Sequence, residues 1–121
     1  MEITFYKYQG TGNDIVMIDD RADIFPDRDL SLIQRLCDRK FGIGADGLIL
    51  IRDVEDHDFE MVYFNADGSQ SMCGNGGRCA VAFAKLLGIV DQKTNFLAID
   101  GEHQALVAGD WIELEMRPVL S

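Results

Sequence analysis

The chain is short of positive charge: 11 lysines and arginines stand against 21 aspartates and glutamates, a formal net charge of −10 over 121 residues. A surface of that sign repels phosphate backbones and anionic lipid, so nucleic acid and membrane are excluded as expected partners. Any anion site must be made locally, from a helix N-terminus and an arginine. Cysteine is scarce too. Three residues without framework spacing point to free thiols in a reducing compartment, and hence to a cytoplasmic protein. No apolar run approaches bilayer-spanning length, and the expectation is a chain without a secretory leader. The G-x-G-x-x-G nucleotide fingerprint does not follow the first strand. Neither of the two histidines, His57 and His103, sits among residues of a ligand set. No metal and no cofactor are expected.

What is present is apolar: 47% of residues are hydrophobic, enough for one domain with a real core and too short for two. The boundaries expected are residues 1–117 for the domain and 118–121 for the start of a linker. The organising stretch is Ser71-Met-Cys-Gly-Asn-Gly-Gly-Arg-Cys-Ala-Val-Ala-Phe-Ala-Lys-Leu-Leu-Gly88. From residue 75 or 76 to 87 it reads as a helix whose apolar residues run nearly all the way round, which implies burial on every side. Its alanines allow strands to approach closely, and Gly88 is placed to stop it. At its start, Gly74, Gly76 and Gly77 leave the first turn without side chains, so free N–H groups can cradle an anion. Cys73 stands just before them, where the helix dipole and Arg78 favour thiolate. A lone cysteine is more often a small core residue. The glycine cluster favours the chemical reading, because packing alone has no use for three glycines there.

Taken in order, residues 3–8 and 15–19 read as strands joined by Gln9-Gly-Thr-Gly-Asn-Asp14, a loop that could approach a ligand or merely connect. Leu30, Ile33, Leu36 and Cys37 recur at helical spacing, with Asp29 or Ser31 as cap, and Cys37 on the apolar stripe reads as packing. Phe41-Gly-Ile-Gly-Ala-Asp-Gly47 has three glycines in six residues, a sign of tight turns or close backbone approach; Asp46 is more readily a turn residue than a site carboxylate. Residues 48–52 and 59–65 form a hairpin across an acidic turn holding His57, read as solvated. Asn65 falls where a strand ends and the chain turns toward Cys73; by itself it reads as a turn residue. Three more strands follow at 94–99, 104–107 and 111–116, with Asp100-Gly101 as hairpin signal and His103 at the first turn of the meander, without partners. The fold class is α+β: about seven strands in a curled, mostly antiparallel sheet or barrel around one buried central helix, with a second helix outside.

Gly10-Thr-Gly-Asn-Asp14, Phe41-Gly-Ile-Gly-Ala-Asp-Gly47, Tyr63-Phe-Asn-Ala-Asp-Gly-Ser69 and Met72-Cys-Gly-Asn-Gly-Gly-Arg78 occur in an order and spacing that resembles diaminopimelate epimerase. Four blocks together are specific where any one would be weak. The resemblance runs from about residue 3 to 117 and covers the first half of that family's length. It implies one half of a two-domain, pseudo-symmetric fold, and a cofactor-independent isomerase of lysine and peptidoglycan-precursor biosynthesis that interconverts LL- and meso-diaminopimelate. Each domain of such an enzyme supplies one catalytic cysteine. Cys73 matches the first, Gly74 and Asn75 match helix N-terminal positions that hold the reacting carboxylate, and Asn13 and Asn65 match substrate-binding amides.

In two places the sequence departs from the family: Ile15 stands where many members have Phe, and Gly47 where some carry glutamine. The implied partners are a small amino-acid dicarboxylate and a missing C-terminal domain, and the chain alone is expected to be inactive. Other readings stay open. A homodimer could set two Cys73 side chains opposite each other; the domain could bind a small carboxylate or regulate without catalysis; and a related PLP-independent racemase fits, though the Asn-Ala-Asp-Gly-Ser block suits it less well.

Overall fold

The computed structural model describes residues 5–10, 13–71, 74–108 and 111–114, with backbone alone at 9, 10, 75, 111 and 113. Seven strands form one sheet in sequence order: β1 (Phe5–Gly10), β2 (Asn13–Asp19), β3 (Gly47–Arg52), β4 (Phe59–Asn65), β5 (Lys93–Ala98), β6 (Gly101–Ala108) and β7 (Trp111–Leu114). Four neighbouring pairs are antiparallel. The other two, β2 with β3 and β4 with β5, are parallel. A parallel pair needs a crossover, and each has its helix: α1 (Leu30–Cys37) between β2 and β3, α2 (Gly74–Leu86) between β4 and β5.

The two helices lie on opposite faces of the sheet, which explains why β2 and β3 are apolar without interruption. Odd-numbered residues, Ile15, Met17, Ile49, Ile51, Met61 and Tyr63, pack toward α2. Even-numbered ones, Val16, Ile18, Leu48, Leu50 and Phe64, pack with Ile33 and Cys37 of α1. Each fully buried side chain of this kind contributes roughly 1.5–3 kcal/mol. In β6 the alternation is different: His103, Ala105 and Val107 are buried, while Glu102, Gln104 and Leu106 are exposed. The sheet's outer face is therefore wet here, as a half-buried strand should be.

The central helix contacts β1, β2, β3, β4 and β7, strands from both ends of the order, so the sheet curls around it. Ala80 and Ala84 are fully buried and let the strands come close. Phe83 fills the space under β1, its ring 5.1 Å from Tyr6 and 5.9 Å from Tyr8. The helix ends as its sequence indicates: Ile89 N–H donates to Ala84 O at 2.9 Å and Gly88 N–H to Lys85 O at 3.0 Å, with Gly88 at φ +79°. This pair of bonds is the Schellman ending, which requires the left-handed conformation glycine adopts freely. One expectation is corrected. The helix is not buried on every side, because Arg78, Lys85 and Leu86 form an exposed stripe with half-buried Ala82. Among the described residues β1 and β7 stay unpaired with each other, so the curl is open.

Smaller expectations resolve as well. Asp29 rather than Ser31 caps α1, its side chain accepting from Leu32 N–H at 3.1 Å, and Gln34 donates to Asp67 O at 2.8 Å. His57 is no solvated bystander: Nε2 lies 2.9 Å from Glu102 Oε1, tying the β3–β4 turn to β6. His103 is buried on β6, stacked on Phe96 at 5.3 Å and 2.7 Å from Asp100 Oδ1, rather than left without partners on a turn. Residues 115–121, where the domain end and linker were expected, lie outside the described residues.

Candidate active site

The start of β2, the start of β3 and the end of β4 meet at one end of the sheet. In register, Ile15 stands beside Gly47, and Gly47 beside Asn65. Asn13, two residues before Ile15, opens β2, while Asn65 closes β4. With strands about 4.8 Å apart and a rise of about 3.3 Å per residue, the two asparagines sit roughly 12 Å apart across β3.

From Asn65 the chain turns back on itself. Asn65 N–H donates to Ser69 O at 2.7 Å and Gly68 N–H to Asn65 O at 2.9 Å, while Asp67 Oδ1 accepts from Ser69 N–H at 2.9 Å and from its hydroxyl at 2.6 Å. Hydrogen bonding to the charged form holds the Asp67 carboxyl below its ordinary range. The turn leads Ser71 back to β4, and α2 begins at Gly74. Asn65 is thus a turn residue through its backbone and something more through its side chain. Its Nδ2 donates to the hydroxyls of Ser69 and Ser71, both at 3.1 Å. The amide sits between the strand end and the approach to the helix.

The first turn of α2 carries no acidic residue; Gly76 and Gly77 are buried and Gly74 half-buried. Nothing negative there competes with an incoming anion for the helix N-terminus. Cys73 lies outside the described residues, as does the side chain of Asn75. Cys37 and Cys79 are both buried, in the outer and inner cores respectively, and burial raises the Cys37 thiol above its ordinary value. Neither is placed for chemistry at this end.

The glycine loop before β3 shows the close approach its sequence suggests. A Cβ on Gly42 would collide with the backbone carbonyl of Arg35, and one on Gly47 would lie 2.6 Å from Tyr63 Oη and 2.9 Å from Phe64 O. Tyr63 therefore occupies the space a side chain at position 47 would need. Asp46 does more than form a turn: its Oδ2 accepts from Asp14 N–H at 2.9 Å, its own N–H donates to Asp14 O at 2.8 Å, and its carbonyl accepts from Ala66 N–H at 3.1 Å. Arg39 bridges Asp14 Oδ2 and Asp46 Oδ1, both at 3.1 Å, with Lys7 Nζ 3.9 Å from Asp14. The Asp14 N–H, more than the guanidinium, holds the Asp46 carboxyl below its ordinary value. Sequence reasoning missed Ser71, Arg39 and this use of Asp46, since none belongs to a pattern readable along one segment.

A cleft of about 570 Å³ lined by Asp58, Thr94, Ala105 and Leu114 lies near the start of β4, at the opposite end of that strand from Asn65, and holds none of these residues. Among the described residues no cluster of His, Cys, Asp and Glu could hold a metal ion, and no helix is long and apolar enough to cross a membrane.

The family model described as diaminopimelate epimerase matches residues 5–110. The chain belongs to the diaminopimelate epimerase family. It is 62% identical over 116 residues to the diaminopimelate epimerase of Flavobacterium psychrophilum, covering 94% of this chain and 45% of that protein. With the Aquifex aeolicus diaminopimelate epimerase it shares 42% identity over 126 residues, again 94% of this chain and 45% of the relative. The chain thus spans less than half the length of these two members. Among solved structures, a PhzF-family phenazine biosynthesis protein from Enterococcus faecalis superimposes with a TM-score of 0.71 at 12% identity, over 99% of this chain and 48% of that one. A methylitaconate-delta-isomerase gives 0.68 at 15% identity, over 90% and 35%. At such identities the likeness is one of fold. The epimerase-family fold is thus shared with proteins of other names, whereas the range matched by the family model, residues 5–110, includes the positions of all four glycine-bearing blocks.

Proposed function

We propose that this chain supplies one half of a diaminopimelate epimerase site, in which Cys73 exchanges the α-proton of the substrate, Asn13 and Asn65 hold it, and the start of α2 at Gly74 and Asn75 binds the carboxylate beside the reacting carbon. The observation that carries this reading is the convergence of Asn13, Asn65 and the start of α2 at one end of the sheet.

An α-hydrogen beside a carboxylate is a very weak acid. Removing it leaves charge that spreads onto the carboxylate, where the N–H groups of a helix start stabilise it best in a dry cleft. Inversion needs a base on one face of the carbon and an acid on the other. Cys73 can serve one face only. Cys37 and Cys79 are buried in the two cores and cannot serve the other. The opposing acid is assigned to a second domain, as the family resemblance implies, or to a second copy of this chain. The chain alone is an incomplete, cofactor-independent isomerase acting in lysine biosynthesis, in a reducing cytoplasm.

The test is proton NMR of LL- and meso-diaminopimelate in deuterated water under reducing conditions, with this chain and with Cys73→Ala. No net inversion by either agrees with the half-site. Inversion that survives Cys73→Ala overturns the role of Cys73, and inversion that vanishes in the variant overturns incompleteness in favour of a two-copy site.

A further inference from the structure

We infer that Asp46 is a positioning residue for this site: it sets the separation of the two asparagines without touching substrate. This rests on the half-site reading above. Asn13 and Asn65 stand on strands that are not adjacent, so the β3 ladder between them fixes their spacing only as far as each strand end stays in register. Ends of strands fray. Asp46, immediately before β3, bonds to the residue after each asparagine: to Asp14 through a reciprocal pair at 2.9 and 2.8 Å, and to Ala66 through its carbonyl at 3.1 Å. One residue thus ties the start of β2 to the turn after β4.

The side chain is the essential part of this tie. The two backbone bonds of Asp46 continue the sheet pattern, but the Asp14 N–H, at the sheet's end, is taken up by the carboxylate. Arg39, itself half in solvent, braces that carboxylate against the Asp14 carboxylate, which would otherwise repel it. An exposed ion pair of this kind adds little alone. Its effect is to orient Oδ2 toward the amide.

Two variants separate positioning from general stability. Asp46→Ala removes the acceptor, whereas Asp46→Asn keeps an oxygen for Asp14 N–H and gives up only the ion pair. Amide hydrogen exchange, measured without ligand, is expected to quicken about tenfold or more at Asp14 in Asp46→Ala, to return to within about threefold of wild type in Asp46→Asn, and to stay unchanged at Phe96 and His103 in the paired β5 and β6. Titration with meso-diaminopimelate is expected to weaken about tenfold in Asp46→Ala, with recovery in Asp46→Asn. Unchanged exchange at Asp14 in Asp46→Ala, loss spread equally to Phe96 and His103, or wild-type affinity in a variant whose Asp14 has lost protection overturns the inference. If the wild-type chain binds no diaminopimelate while Asp14 exchange follows the expected pattern, the half-site reading fails and the tie itself stands.

Discussion

Asn65 donates from Nδ2 to Ser71 Oγ at 3.1 Å, joining the last residue of β4 to the segment that leads into the central helix. Strand end and the chain at Ser71 are thereby held by one amide, which is also the amide proposed to meet the substrate. Replacing it by alanine leaves the Ser71 hydroxyl without this partner, while Ser69 keeps its bond to Asp67. Asn65→Ala is expected to cost about 1 kcal/mol, read as a lower urea midpoint with an unchanged slope. A change in slope would show that the turn does more than join two elements.

Asp20 carries a heavier structural role away from the site. Its carboxylate, 1% exposed, accepts from the N–H groups of Ile24 and Phe25 at 2.9 Å each and from Arg52 Nε at 2.8 Å. Asp20→Ala strands a largely buried guanidinium, still bonded to Asp27, together with two amides. The expected loss is roughly 3 kcal/mol in urea unfolding, the range for removing one partner of a buried pair. A loss below about 1 kcal/mol would mean that Asp23, 3.6 Å from Arg52 Nε, and Asp27 together hold the guanidinium.

Gly47 and Tyr63 should be coupled. A methyl group on Gly47 meets the Tyr63 phenol and the Phe64 carbonyl oxygen, so Gly47→Ala is expected to cost about 2–3 kcal/mol by overpacking. In a Tyr63→Val background the same change should cost about 1 kcal/mol less, since one of the two obstacles is gone. Additive effects in a double-mutant cycle would show that the carbonyl alone forbids a side chain.

His57 gives the fold a defined pH response. The bond to Glu102, with a smaller contribution from the Glu55 carbonyl, raises the imidazole above its ordinary 6.5, so the folded state binds the proton more tightly than the unfolded state. That contribution is fully present below about pH 6.5 and is lost as pH rises through the folded value. Thermal unfolding should show Tm falling across that window in wild type, with a flatter dependence in Glu102→Gln. Equal slopes would rule the pair out as the source.

Much of this was legible in the sequence because it depends on patterns within one segment. Residues 15–18 and 48–51 are apolar at every position because helices cover both faces, whereas the alternation of β6 shows only in the structure, where apolar Leu106 is exposed and His103 is buried. Gly88 marks the end of α2 because the ending needs a left-handed residue. What was not legible depends on partners distant along the chain. Asp46 reads as half of an Asp-Gly turn until Asp14, 32 residues earlier, is seen beside it. His57 and Glu102 are 45 apart. Asn13 and Asn65 were named through family resemblance; their sharing a sheet end follows from parallel pairing of β2 with β3, which strand propensities leave undetermined.

The most direct test of the half-site is a titration of the nitrogen-15-labelled chain with meso-diaminopimelate, followed by amide NMR under reducing conditions. The account predicts saturable shifts grouped at Asn13, Asn65, Ser71 and Gly74, with β5 and β6 undisturbed. Shifts confined to the cleft at Thr94 and Ala105, or none at millimolar ligand in a folded sample, would contradict it.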